Sequence, residues 1–76
     1  MKYVVASFNR ETGQHEKDID LKIDDAAELA RIFDEPVERF VDMYPIDAAR
    51  AASLHSAYGV EVDLTTFDNF LEVQAD

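Results

Sequence analysis

The sequence contains no cysteine and no tryptophan, and only two glycines and two prolines among its 76 residues. Without cysteine, disulfide bridges and cysteine-ligated zinc sites are excluded. Small secreted domains commonly depend on such cross-links, so we expect a cytoplasmic protein. The two glycines, Gly13 and Gly59, stand alone in the sequence. This spacing excludes a glycine-rich phosphate-binding loop.

Long apolar runs and basic clusters are also missing. The opening apolar stretch is too short for a signal peptide, and Asn9-Arg10-Glu11 ends it. No run approaches the roughly 18 apolar residues of a membrane span. Seven scattered basic residues face seventeen acidic ones, for a net charge of −10. Such a chain repels nucleic acids and anionic membranes and attracts cationic proteins, so we expect a protein partner.

The first part of the chain predicts a β-hairpin within a single domain, residues 1–76. Residues 2–8 are rich in valine, tyrosine and phenylalanine, and residues 9–13 form a turn in which Gly13 can adopt positive φ. Ile19, Leu21 and Ile23 then alternate with charged residues. This alternation predicts a second strand with one buried face.

Helical spacing predicts three helices after the hairpin. Asp24 or Asp25 can cap the first, and Pro36 begins the second. Asp47 is a suitable cap for the third, over residues 48–58, which Gly59 ends. The apolar residues that define the first two helices are Ala26, Leu29, Ala30 and Phe33, followed by Val37, Phe40, Val41 and Tyr44.

Residues 67–73 predict a closing strand, whereas residues 60–66 are compatible with a strand or a loop. The resulting order, β-β-α-α-α-β, predicts an α+β fold with a three-stranded, mainly antiparallel sheet and the helices on one face. In the usual arrangement of this order, the first strand lies between the other two.

Patterns that support catalysis or metal binding are incomplete. His55 lies between Ser53 and Ser56, but helix neighbours one or two residues apart do not face each other. Asp18 and Asp20 begin like a calcium loop, yet Lys22 and Ile23 follow where a polar ligand and a glycine are required. His15 has no recognisable catalytic partner. We therefore expect no catalytic residue, no metal and no cofactor.

Twelve of the seventeen acidic residues fall into two groups. Seven lie at predicted helix starts, where the helix dipole favours negative charge; these are Asp24, Asp25, Glu28, Asp34, Glu35, Glu38 and Asp47. Five others lie in one phase on predicted strands, namely Glu16, Asp18, Asp20, Asp68 and Glu72. The strand acids are the more informative group because no local structural role accounts for them.

The strand acids predict an open sheet face with acidic edges and an aromatic middle. Asp68 and Glu72 flank Phe70, and we expect Tyr3 and Val5 to share its face. The alternative is that Tyr3 and Phe70 belong to the core and the phase is shifted by one residue. Our partner-binding candidates are Asp18, Asp20, Asp68, Phe70 and Glu72. A second candidate surface consists of Asp34, Glu38 and Asp42 on the second predicted helix.

This layout resembles small acidic immunity proteins of bacterial polymorphic toxin systems, including contact-dependent inhibition. The resemblance lies in the opening strand through Thr12, the alternating second strand, the short helices, Gly59 and the aromatic-acidic strand 67–72. It implies an antitoxin that binds a cognate toxin domain, often a basic nuclease, and blocks its active site or substrate surface. Two alternatives remain open: an adaptor or regulatory protein that self-associates as a homodimer, and a small metal-dependent enzyme.

Overall fold

A computed structural model describes residues 1–75, which form one antiparallel sheet, two helices and a 3₁₀ turn. In chain order the elements are β1 Lys2–Asn9, β2 His15–Leu21, α1 Ala27–Ile32, the 3₁₀ turn Val37–Arg39, β3 Met43–Pro45, α2 Ala48–Tyr58 and β4 Phe67–Gln74. The strands are ordered β2-β1-β4-β3. The α+β class and the antiparallel sheet are confirmed, but the sheet has four strands instead of three.

The hairpin follows the prediction, and β1 lies between β2 and β4 as expected. Gly13 has a φ of 76°, a conformation that glycine adopts without a Cβ clash. The Asn9 side chain accepts hydrogen bonds from the backbone N–H groups of Glu11 (2.8 Å) and Thr12 (3.0 Å). This local bonding fixes the turn that returns the chain alongside β1.

The second predicted helix is wrong. Of its apolar residues, Val37 and Val41 are exposed, whereas Phe40 is buried. The segment contains only the 3₁₀ turn, and Tyr44 lies in β3. A helix would have placed all these side chains on one buried stripe, so the helical spacing here is coincidental.

The edge of β4 explains why this segment becomes a strand. The backbone N–H of Ile46 donates to the carbonyl of Asn69 (2.9 Å), and that of Val73 donates to the carbonyl of Asp42 (3.1 Å). These bonds pair backbone groups of β4 that a local helix would have left without partners. Tertiary pairing therefore overrides the local helical preference.

Helix α2 begins and ends where the capping residues predict. The Asp47 carboxylate accepts a hydrogen bond from the backbone N–H of Arg50 (2.8 Å), and Gly59 ends the helix in the left-handed region. Helix α1 is shorter than predicted. Its cap residue is Ala26, so neither Asp24 nor Asp25 caps it as predicted. Asp25, one residue before the cap, accepts a hydrogen bond from the N–H of Ala27 (2.9 Å).

The core lies between one face of the sheet and the helices. Its buried members are Val5, Leu21, Leu29, Ala30, Phe33, Phe40, Ile46, Leu54 and Leu71. Residues 60–66 form no strand; the Asp63 carboxylate instead accepts from the N–H groups of Thr65 (2.9 Å) and Thr66 (3.0 Å). Val60 and Val62 pack against the core, so this loop completes the covered side.

No helix within residues 1–75 is long and apolar enough to cross a membrane.

Candidate partner-binding surface

The face of the sheet opposite the core carries most of the predicted binding residues. Residues directly opposite in antiparallel strands project to the same side. The register therefore places two rows of side chains across this open face. The first row is Asp18, Ala6, Phe70 and Pro45, and the second is Asp20, Val4, Glu72 and Met43. We call the side chains of these rows, with Phe8, Asp68, His15 and Lys2, the open face.

The centre of the open face is apolar. Val4 and Ala6 are each 1% exposed, yet neither belongs to the core cluster, as expected for the opposite side of β1. The rings of Phe8 and Phe70 meet edge to face with their centroids 5.7 Å apart. Both phenylalanines are only partly buried. An aromatic pair is thus held in place and remains accessible from solvent.

The predicted place of Tyr3 and Val5 on this face is wrong. Val5 is a core residue, and Tyr3 packs beside the core with its ring 6.1 Å from that of Phe40. The sequence could not fix this phase because Val4, Val5 and Ala6 are all apolar. Phe70 does lie on the open face with Asp68 and Glu72, as predicted, but Phe8 is the second aromatic residue there.

The acids of β2 line one side of the apolar centre. The Asp18 carboxylate lies 2.6 Å from Nε2 of His15, and the Asp20 carboxylate lies 3.9 Å from Nζ of Lys2. Both acidic side chains remain more than two-fifths exposed. Exposed pairs of this kind are weak, so either carboxylate can exchange its partner for a stronger cation at low cost.

The acids of β4 lie on the other side of the apolar centre. The Asp68 carboxylate accepts a hydrogen bond from Nε of Arg10 (3.2 Å), and Glu72 accepts from the side-chain amide of Gln74 (3.0 Å). The four carboxylates of the open face, taken with Lys2 and with the Arg10 side chain that pairs with Asp68, have a net charge of −2, counting histidine as neutral. The greater part of the chain's charge of −10 therefore lies elsewhere.

A β-bulge changes which residues of β2 reach the open face. The register steps from Ser7 opposite Lys17 to Phe8 opposite His15, which leaves Glu16 as the extra residue. His15 therefore faces Phe8, with ring centroids 5.3 Å apart. Sequence alternation placed Glu16 in phase with Asp18 and Asp20, and it could not reveal the bulge.

The second candidate surface does not form a continuous stripe, because its helix is absent. Asp34 follows α1 in the left-handed region with a φ of 58°, and Glu38 lies in the 3₁₀ turn. Asp42 lies just before β3, where its carboxylate accepts from the N–H of Met43 (2.8 Å). The three acids belong to three different local structures.

Neither histidine lies within a catalytic arrangement of the described residues. His15 contacts Asp18 and Phe8, and Nδ1 of His55 lies 3.5 Å from the exposed carboxylate of Glu61. No side-chain hydrogen bond within residues 1–75 joins either ring to a serine or threonine hydroxyl. No group of three metal-ligating side chains occurs within the same residues.

Two groups have perturbed pKa values, and both have structural explanations. The N–H of Thr66 donates to the Asp63 carboxylate and, with Thr65, holds the pKa of Asp63 below its ordinary value of 3.8. Burial raises the pKa of Tyr58, and the carboxylates of Glu28 and Asp25 raise it further. The Tyr58 hydroxyl is buried without a hydrogen-bond partner among the described residues.

Several clefts among the described residues are shallow, with volumes from about 200 to about 420 Å³. One of about 240 Å³ lies between the end of β2 and the end of α2, lined by Leu21, Tyr58 and Val60 together with Asp20 and Lys22. Its volume is below the roughly 300 Å³ at which small-molecule pockets begin. The size of this cleft suits a single apolar side chain better than a substrate.

Sequence reasoning missed several open-face residues, namely Phe8, His15, Met43 and Pro45. The face of Phe8 depends on the phase of β1, which the apolar run Val4-Val5-Ala6 leaves undetermined. Met43, which is 41% exposed, and Pro45 could not be placed because β3 was interpreted as helix.

Comparison with known proteins leaves the open face without an assigned role. No curated protein and no solved structure matches the chain. The chain belongs to the family described as "Domain of unknown function (DUF7683)", which it matches over residues 2–72.

Proposed function

We propose that this protein is an immunity-type inhibitor that binds a cationic protein, such as a toxin domain with nuclease activity, through its open sheet face. The observation that carries the proposal is an uncovered face on which Phe8 and Phe70 form an accessible aromatic centre between Asp18 and Asp20 on one side and Asp68 on the other. Aromatic anchors surrounded by charged side chains are common in protein interfaces.

Electrostatics supports a cationic partner through both the whole chain and the local rim. A net charge of −10 on 76 residues attracts a basic protein at long range and raises the association rate. At contact, the carboxylates of Asp18, Asp20 and Asp68 can take over the role of substrate phosphates on a nuclease surface. The protein then inhibits by occlusion, without catalysing a reaction, and acts in the cytoplasm.

The proposal is tested by using the full chain as bait in a lysate of the producing bacterium, at low and at high salt. We expect a basic protein to be retained at low salt and released as salt screens the attraction. The purified partner should then lose its toxic or nuclease activity on addition of the bait. Recovery of only an acidic protein, or of a basic partner whose activity is unaffected, would contradict the inhibitor proposal.

Self-association is separated from partner binding by light scattering of the isolated protein. A monomer that becomes a 1:1 complex with the basic partner supports the proposal. A stable homodimer that loses its contact in Phe70→Ala would show that a second copy occupies the open face.

A further inference from the structure

The two edge strands of the sheet, β2 and β3, differ in how many of their outward backbone groups have hydrogen-bond partners. In antiparallel pairing, each residue directs both its N–H and its C=O toward the same neighbouring strand, and successive residues alternate. The bonds from Ile46 to Asn69 and from Val73 to Asp42 show that odd-numbered residues of β4 point toward β3. Its even-numbered residues therefore bond to β1.

The same alternation fixes the direction of the backbone groups of β2. Even-numbered residues of β1 bond to β4, so its odd-numbered residues bond to β2, as the 2.8 Å bond from the N–H of Asn9 to the carbonyl of Gln14 confirms. Their partners in the register are Lys17, Ile19 and Leu21. The backbone N–H and C=O groups of Asp18 and Asp20 consequently point away from the sheet.

At the opposite edge of the sheet, two outward backbone groups of β3 already have partners. Met43 and Pro45 are the residues of β3 that point outward, because Tyr44 pairs with β4. The Met43 N–H donates to the Asp42 carboxylate (2.8 Å), and the Pro45 carbonyl accepts from Nη1 of Arg50 (3.0 Å). Proline has no N–H to offer. Within the described residues, the seven-residue strand β2 is therefore the longer and more open edge for another strand.

The side chains of β2 specify what that strand should contain. On the open-face side, Asp18 and Asp20 present carboxylates. On the core side, Ile19 is half-buried, and Leu21 borders the cleft of about 240 Å³ that Tyr58 and Val60 also line. A strand added here would place basic residues opposite the carboxylates and apolar residues beside Ile19 and the cleft.

We propose that the edge of β2 binds an extended segment of the partner as a fifth strand, with basic and apolar residues alternating along it. The expectation that this partner is cationic rests on the proposed function. The bonding mode is β-strand addition, in which backbone hydrogen bonds supply affinity and alternate side chains supply specificity. The charges on β2 discourage pairing with neutral strands and so select a basic one.

A second copy of the chain fits this edge poorly. Antiparallel pairing of two β2 strands about Ile19 would place Asp18 of each copy opposite Asp20 of the other. Like charges directly opposite each other destabilise a strand pair. The same carboxylates that oppose self-pairing favour a basic segment.

The test uses a seven-residue peptide in which lysine and valine alternate, with a block-ordered peptide of the same composition as control. In hydrogen-exchange NMR, the amides of Asp18 and Asp20 should gain protection at saturating alternating peptide. Those of Ile19 and Leu21, already bonded to β1, should change little. Addition of the block-ordered peptide should leave all four amides unchanged.

Two variants separate backbone pairing from charge. Asp18→Ala removes the carboxylate and should weaken binding about two- to fivefold, as for an exposed ion pair. Asp18→Pro also removes the outward N–H while leaving the bonds to β1 in place, and should weaken binding roughly a further three- to tenfold. Both variants should retain the β1–β2 pairing, checked from the amide signals of Ile19 and Leu21.

Equal protection by the two peptides, no protection at saturation, or equal affinity of the alanine and proline variants would each overturn the edge proposal. Failure of the proposed function has a different signature. If no cationic protein binds but the alternating peptide still protects Asp18 and Asp20, the edge site stands and the inhibitor proposal fails. If a cationic protein binds through Phe70 and its affinity is unchanged by Asp18→Pro, the inhibitor proposal stands and the edge proposal fails.

Discussion

The buried hydrogen-bond network around Asn69 allows a quantitative prediction. Asn69 is 4% exposed, and its side-chain oxygen accepts from the Ser7 hydroxyl at 2.6 Å. Its amide donates to the carbonyls of Asp63 (2.6 Å) and Phe67 (3.3 Å). The network ties the 60–66 loop to the sheet and anchors β4 from the core side, directly between Asp68 and Phe70 on the open face.

Replacing Asn69 with alanine removes these three bonds and leaves the Ser7 hydroxyl, in a residue 1% exposed, without a partner. An orphaned buried hydroxyl costs about 1–3 kcal/mol, and each lost bond costs about 0.5–1.5 kcal/mol where water cannot replace it. Since the bonds to Asp63 and Phe67 are only part-buried, we expect a total of about 2–4 kcal/mol. At roughly 4–8 °C per kcal/mol for a domain of this size, the melting temperature should fall by about 10–30 °C.

A double-mutant cycle measured by urea denaturation and thermal melting tests this reasoning. Ser7→Ala removes the group that Asn69→Ala leaves unpaired, so the double variant should be more stable than the sum of the single losses predicts, by about 1 kcal/mol or more. Strict additivity, or a loss below about 0.5 kcal/mol for Asn69→Ala, would refute the assigned network.

Three further predictions concern single sites. Gly59→Ala should destabilise the fold by about 1 kcal/mol and Gly59→Asn by less, because φ is 71° and no atom lies within 4 Å of an added Cβ; equal costs in urea denaturation would contradict backbone strain as the cause. The lowered pKa of Asp63 means that its contribution to stability is complete above pH 3.8 and is lost as pH falls through the folded-state value. Asp63→Asn should therefore flatten the acid end of the stability curve, and an unchanged curve would refute this. Tyr58→Phe should be neutral or stabilising by up to about 1 kcal/mol, since the hydroxyl is buried without a partner. Because the Tyr58 pKa is raised above 10.0, the wild type should lose stability above pH 10 more steeply than the variant; a destabilised Tyr58→Phe would contradict the unpaired assignment.

The parts of the fold that sequence reasoning predicted correctly depend on local chemistry. Asp47 and Gly59 bound α2 because each satisfies or relaxes backbone groups within one turn of itself. The hairpin was predictable for the same reason, since Asn9 and Gly13 fix the turn locally.

The parts that failed depend on contacts distant in sequence. β3 exists because the edge of β4, about 28 residues later, needs partners, and helical spacing from Val37 to Tyr44 carries no trace of that requirement. The three consecutive apolar residues Val4, Val5 and Ala6 conceal which face of β1 is covered. Alternation therefore left the phase of Tyr3 undetermined. Phe70, which Asp68 and Glu72 flank on the same face, was placed correctly.

The candidate site also has features that the sequence predicted and features that depend on contacts it does not reveal. Acidic residues on both sides of an apolar centre were predictable from alternation and the usual strand order. The bulge that brings His15 opposite Phe8, and the cations beside Asp20 and Asp68, were not. Their effect is to lower the local charge, which makes the aromatic pair more important to the proposed interface than net charge alone suggested.

The central claim is that the open face binds the partner, and matched alanine variants test it most directly. Isothermal titration calorimetry with the purified cationic partner would compare Phe70→Ala with Val37→Ala, an apolar residue 49% exposed in the 3₁₀ turn beside α1. We predict that Phe70→Ala weakens binding by at least about 2 kcal/mol, roughly thirtyfold, while Val37→Ala changes it by less than about twofold. Wild-type affinity in a folded Phe70→Ala variant, or equal losses in both variants, would contradict the claim.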